Sequence, residues 1–179
     1  MISVEEHFLW HNLHRIVHAI ARHEETIFST TDITHQQHSV LLTAAFLTET
    51  SKTPVKITDL ASRQNRSLVS ISLIIGRMES KGLVKKVRDP DDRRIIKITI
   101  TKKGEELLRI SSNPTTELVQ KLFSSLSDKE IKQAIVITDK LIARLDLNSK
   151  FDKSYLEGML DFINKMNQKA DPPLPGSKA

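Results

Sequence analysis

Four histidines, His7, His11, His14 and His18, follow one another at spacings of four, three and four, which lines them along one face of a helix. Two imidazoles one turn apart can chelate Zn²⁺ or Ni²⁺, so this stripe is the first place where residue type permits chemistry. No carboxylate completes it on the same face, although Glu25 lies about two turns beyond His18. Closed structural metal sites usually take four ligands, so the expectation is no bound metal and a solvated or dimer-facing polar stripe. His7, His11, His14 and His18 are the candidates should a metal bind.

A second set of residues offers hydrogen bonds and charge. Ser67, Ser70 and Ser72 present hydroxyls within six residues, with Arg66 immediately before them. Further on, Arg88, Arg93 and Arg94 surround Asp89, Asp91 and Asp92. Carboxylates between strands and beside arginines point to turn chemistry and salt bridging rather than acid/base work. Asp89 or Asp92 can pair with an arginine and orient it, and spacing does not choose between them. Ser, His and Asp all occur, but no nucleophile elbow, phosphate loop or metalloprotease motif does, so neither an enzyme nor a cofactor is expected.

The bulk composition narrows the class. The chain has 179 residues, 27 Lys+Arg, 22 Asp+Glu and no cysteine. That excludes a disulfide scaffold, a thiolate nucleophile and a Cys-ligated metal. No apolar run approaches the ~20 residues of a bilayer span, and Met1–Arg22 lacks a signal-peptide core, so a cytoplasmic protein without membrane association is expected. The net charge of +5 is unevenly spread: residues 63–109 hold 13 basic and 6 acidic residues, whereas the rest is slightly acidic. One basic segment on a mildly acidic body is the electrostatic footprint of a polyanion partner.

Elements must position these groups. Leu9, Leu13, Ile16, Val17 and Ile20 form the apolar stripe of a long helix from about Val4 to Phe28, ended by Ser29-Thr30-Thr31-Asp32. Thr34 precedes a second helix with Val40, Leu41, Leu42, Ala45 and Phe46 on its apolar side, and Thr50–Pro54 reads as a loop. A short helix over Ile57–Gln64 turns sharply at Asn65, a residue that enters the left-handed region readily. Ser67 caps the next helix, which Ile71, Ile74, Ile75 and Met78 hold to the body until Lys81-Gly82 stops it.

The period then changes to two. Leu83-Val84 and Ile95–Ile100 flank Asp89–Asp92 as a hairpin. A helix resumes after Gly104, and Pro114 is expected to break or kink it near Ser112-Asn113. Ser127–Glu130 has capping-box spacing for a helix through Leu145, and Phe151, Tyr155, Met159, Ile163 and Met166 mark a last amphipathic segment before a Pro-rich tail at 171–176. That segment reads first as a helix packed on the bundle and second as an adaptable wall of a ligand pocket.

Helix, short helix, tight turn, longer helix, hairpin, helix is the order of a winged helix-turn-helix, whose second motif helix enters the major groove of DNA. The runs Leu60-Ala61, Arg77–Val84 (RMESKGLV), Asp89–Arg94 (DPDDRR) and Ile100–Gly104 (ITKKG) resemble the MarR family of bacterial transcriptional regulators, from about Val4 to Leu145. The resemblance implies a homodimer on double-stranded DNA at a pseudo-palindromic operator, usually a repressor relieved by a small-molecule effector. Gln64, Asn65, Arg66 and Leu73 depart from its usual pattern. His38 is similar to a position used by zinc-responsive members, but residues 104–120 lack the histidine pair those members add.

The expected architecture is mostly α (α+β): a winged helix-turn-helix with a long-helix dimerisation bundle and an extra C-terminal helix. Its parts are a dimerisation helix at 1–35, the DNA-binding unit at 36–104, further dimerisation helices at 105–147, and the extra helix and tail at 148–179. Arg66, Ser67, Ser70, Ser72, Arg88, Arg93 and Arg94 are the DNA candidates, with Asp89 and Asp92 orienting the hairpin arginines. The alternatives are a histidine-rich metal-responsive regulator or metal-binding protein, and a winged-helix module that binds only protein.

Overall fold

A computed structural model describes residues 1–89, 92, 94–145 and 153–168. Seven helices and a three-stranded antiparallel sheet are formed among them: α1 (Val4–Ser29), α2 (His35–Ser51), β1 (Val55–Lys56), α3 (Ile57–Arg63), α4 (Leu68–Ser80), β2 (Val84–Arg88), β3 (Ile96–Ile100), α5 (Lys102–Phe123), α6 (Asp128–Arg144) and α7 (Lys153–Gln168). The sheet order is β1-β3-β2, with Lys86 opposite Ile98 and Val55 opposite Ile98 on its other side.

The helix starts follow from their caps. Ser3, Thr34 and Ser127 each close a reciprocal capping box with Glu6, Gln37 and Glu130, satisfying backbone donors at both ends of the first turn. The Ser67 hydroxyl accepts the Ser70 N–H at 3.1 Å and opens α4. Asn65 takes the left-handed conformation at φ 48°, and Gly82 does so at φ 71° after α4. The turn residues thus do what their types predict.

One core joins the second helix to the sheet. Val40 and Leu41 of α2, Leu60 of α3, Ile71, Ile75 and Met78 of α4, and Leu83, Val84 and Ile98 are almost wholly buried, with Leu108 of α5 beside them. Each such side chain contributes about 1.5–3 kcal/mol relative to exposure.

Three expectations need correction. Pro114 does not end a helix: α5 runs unbroken from Lys102 to Phe123 through it. Proline denies the Ile110 carbonyl its helical donor, and the Ser111, Ser112, Thr115 and Thr116 hydroxyls bond back to other carbonyls of the helix, but Leu108, Ser111 and Ser112 are buried against the body and this packing keeps the stretch wound. Second, α2 runs on to Ser51, so the loop expected over Thr50–Pro54 starts later, and Val55-Lys56 beyond it, which had no assignment, forms strand β1 with Val55 buried against the sheet. Third, the buried side of α2 is Gln37, His38, Val40, Leu41, Thr43 and Ala44, while Leu42, Ala45 and Phe46 are only half-buried. Phe151 and the tail at 171–176 lie outside the described residues.

Helix α7 folds back on the domain. Tyr155 and Phe162 flank the Phe46 ring at centroid distances of 5.1 and 6.0 Å, and the Arg63 guanidinium lies 4.6 Å from the Tyr155 ring centre. Burial pushes the Tyr155 phenol above its ordinary range, against opposing effects of its Thr43 hydrogen bond and Arg63. Asn167 donates to Thr116 of α5 at 3.4 Å. Packing is thus the observed role of this segment. Among the described residues no helix is long and apolar enough to cross a membrane.

Candidate nucleic-acid interface

The surface is built on α4. Its inner side buries Ile71, Ile74, Ile75 and Met78, the four residues that spacing assigns to the core. Its outer side leaves Ser67, Val69, Ser72 and Leu73 exposed, and Ser70 half-buried. Arg66 is exposed at the turn into the helix, its N–H held by the Ala61 carbonyl at 3.0 Å. Ser67 combines two tasks, since its oxygen accepts the capping bond while its O–H stays available as a donor.

Gln64, one of the positions outside the family pattern, has a clear structural use. Its amide nitrogen donates to Ser39 Oγ and Thr43 Oγ1 of α2, each at 3.1 Å, tying the turn to the body by hydrogen bonds rather than by apolar contact. Leu73 is 60% exposed on the outer face, where it offers methyl contact but no hydrogen bond.

At the hairpin the two aspartates divide their work. Asp92 Oδ1 accepts the Arg94 backbone N–H at 2.9 Å and the Arg94 Nε at 3.3 Å. Arg94 is therefore held at its stem while its side chain remains 93% exposed. Asp89 is 12% exposed, pairs with Lys97 Nζ and accepts the Asp92 N–H at 3.3 Å, which braces the turn. Of the two aspartates, Asp92 is the one in contact with Arg94. Arg88 is exposed at the end of β2; Arg93 lies outside the described residues.

The interface is fastened to the remainder by a compact junction. Thr101 caps α5 by accepting the Gly104 N–H at 3.1 Å, donates its hydroxyl to the Gly82 carbonyl at 2.7 Å, and gives its backbone N–H to Leu83 O at 3.0 Å. Gly104 lies so close that a Cβ there would collide with the Leu83 carbonyl oxygen and sit 2.9 Å from Ile100 Cγ2. Glu79 grips Lys86 twice, at its N–H (3.0 Å) and its ammonium (2.9 Å), which holds the Glu79 carboxyl below its ordinary range. Lys81 likewise reaches Asp32 at 3.0 Å and lowers that carboxyl. These bonds account for the sequence runs ESKGLV and ITKKG, whose signals are legible but whose partners are not.

The histidines separate into different settings. His7 and His11 meet, with their Nε2 atoms 3.1 Å apart. The His14 ring meets Trp10 edge-on at 4.3 Å, and lies 6.2 Å from that of His18. Among the described residues no group of three or more metal-ligating side chains converges. His38 is buried, 5.2 Å from the Phe28 ring centre and 3.3 Å from Ser112 Oγ; burial, with a smaller effect of His35, lowers its pKa to about 4.

A short helix, a left-handed turn, a longer helix with a bare outer face and a basic hairpin define a winged helix-turn-helix protein. Residues 33–96 match the MarR family model. Over 92 residues it is 30% identical to the transcriptional repressor MprA of Escherichia coli strain K12, covering 51% of this chain and 52% of the repressor. Over 88 residues it is 32% identical to the HTH-type transcriptional regulator YpoP of Bacillus subtilis strain 168, covering 49% of this chain and 62% of YpoP. The matched stretch thus spans about half the length of the first relative. Among solved structures, the MepR–DNA complex of S. aureus superposes with a TM-score of 0.68 at 23% identity, covering 76% of this chain and 96% of that one. Sco3205 of Streptomyces coelicolor, a MarR family transcriptional regulator in complex with DNA, gives 0.70 at 20% identity, with 82% and 91% covered. At these identities the likeness establishes the fold.

Proposed function

We propose that the chain is a cytoplasmic DNA-binding transcriptional regulator, acting as a homodimeric, ligand-responsive repressor on a pseudo-palindromic operator. One observation carries the reading: α4 is anchored by four buried side chains and bare on the opposite face, in the part of the chain where the basic surplus lies. The major groove is about 12 Å wide and admits such a helix. Ser67, Ser70 and Ser72 supply hydroxyls to base edges or phosphates, and Val69 and Leu73 supply apolar contact to thymine methyls. Arg66, Arg88, Arg93 and Arg94 supply phosphate or minor-groove contacts, with Asp92 holding Arg94 and Asp89 bracing the turn.

The dimer reading rests on surfaces a lone chain leaves wet. Helix α6 buries no residue, yet Ile135, Val136, Ile137, Leu141 and Ile142 are exposed along it, and Phe8, Leu9 and Trp10 are exposed on α1. Apolar helices of this kind take their stability from a partner face, here a second copy. The effector reading rests on a cavity of about 560 Å³ between α2, β3, α5 and α7, lined by apolar Ile98, Leu108, Phe162 and Met166 and by charged Glu49, Lys52, Glu105 and Arg109. That size and mixed lining suit a small amphipathic ligand.

The test is Arg94→Ala in an operator-binding titration across salt. Weaker binding to operator and random DNA, with a salt slope reduced by about 0.9 per lost phosphate contact, is expected. An unchanged affinity and slope removes Arg94 from the interface, and a wild-type chain without salt-sensitive DNA binding overturns the whole reading in favour of a protein-binding module.

A further inference from the structure

The two histidines that begin α1 form a constellation the DNA-binding reading does not use. His7 and His11 are both exposed, stand one turn apart and bring their Nε2 atoms to 3.1 Å, with the rings edge-on at an interplanar angle of 84°. A cation bound to both at ~2.0–2.1 Å would subtend about 95–100° at the metal, between the square and tetrahedral angles. Two ring nitrogens at that separation are arranged to share either a proton or a metal ion.

The frame beneath them is built without either ring. Ser3 Oγ accepts the Glu6 N–H at 3.1 Å, the Ser3 N–H donates to the Glu6 carboxylate at 2.7 Å, and the His7 N–H donates to the Ser3 carbonyl at 3.1 Å. The first turn is therefore held in place before any ligand arrives, and Glu5 and Glu6 add negative charge to it. Of the other exposed histidines of α1, His14 meets Trp10 edge-on, the His18 ring lies 6.2 Å from that of His14, and His23 Nδ1 lies 2.9 Å from the Ala19 carbonyl.

We propose that His7 and His11 clamp one divalent transition-metal cation of the Zn²⁺, Ni²⁺ or Cu²⁺ class through their Nε2 atoms. Imidazole favours these ions over Mg²⁺ and Ca²⁺, which take oxygen ligands. Water fills the remaining positions, so the site is open and exchangeable rather than a structural one. A helix presenting two histidines four residues apart on one face is a recurrent way of holding such an ion.

The experiment is a Ni²⁺ titration of the full chain without an affinity tag, followed by calorimetry and by fluorescence of Trp10, the single tryptophan, which sits on the same helix and reports a nearby paramagnetic ion. Saturable uptake of one ion per chain in the micromolar range is expected, with His7→Ala and His11→Ala each weakening it by about tenfold or more. His23→Ala should bind as the unaltered chain does, and far-ultraviolet circular dichroism should show α1 intact in every variant. Absence of saturable uptake would mean that the rings share only a proton. Uptake that survives both clamp substitutions but is lost on His14→Ala or His18→Ala would place the metal elsewhere; either result overturns the clamp.

Discussion

Asn65 adopts φ 48° between α3 and α4, where most L-residues lose about 1–2 kcal/mol and glycine loses none. Asn65→Ala should therefore lower stability by about 1 kcal/mol while Asn65→Gly leaves it unchanged or raised, as urea midpoints will report. Gly104 is constrained differently, by space: its missing Cβ is what lets α5 start against the Leu83 carbonyl. Gly104→Ala should cost about 1–3 kcal/mol through overpacking at the junction, with a fall in thermal midpoint as the readout. His38 supplies a pH dependence. Its folded pKa of about 4 lies below the ordinary 6.5, so between those values the unfolded chain binds the extra proton and stability falls as pH falls. The loss should begin below about pH 6.5, reach roughly 3 kcal/mol near pH 4 and then level off, and His38→Gln should flatten that part of the profile.

Elements differ in how openly their residues declare them. Helix α4 was legible in full, because Ser67, Ile71, Ile74, Ile75, Met78 and Gly82 specify start, face and stop by local chemistry alone. Strand β1 was not: two residues show no alternation, and Val55 is a strand because Ile98 lies opposite it, a fact of tertiary pairing. Pro114 misleads for the complementary reason, since the tertiary packing of Leu108, Ser111 and Ser112 holds a turn that proline disfavours. Removing that local conflict should help the helix, so Pro114→Ala is expected to stabilise the chain, by at most about 3 kcal/mol in denaturant titration. At the hairpin, sequence limited the orienter to Asp89 or Asp92; only the folded turn, with Asp89 on Lys97 and Asp92 on Arg94, separates them.

For the molecule as a whole, α1, the end of α5 and α6 leave large apolar side chains in solvent, as α2 and α3 do not. Charged substitution there, such as Ile135→Glu with Leu141→Glu, should shift sedimentation from dimer to monomer and reduce operator affinity while sparing the α2–β3 core. The Thr101–Gly104 junction gives that surface a mechanical meaning. Residues that tie off the end of α4 also start α5, a helix of 22 residues or about 33 Å. Tilting a rod of that length by five degrees moves its tip by about 3 Å. In the proposed homodimer, paired reading heads would have to span about 34–36 Å between successive grooves, so such a tilt would spoil their fit. Under the proposed function the molecule would be a caliper whose jaw is welded to its arm, and a guest seated between α2, β3, α5 and α7 would press on both at once and change the gap.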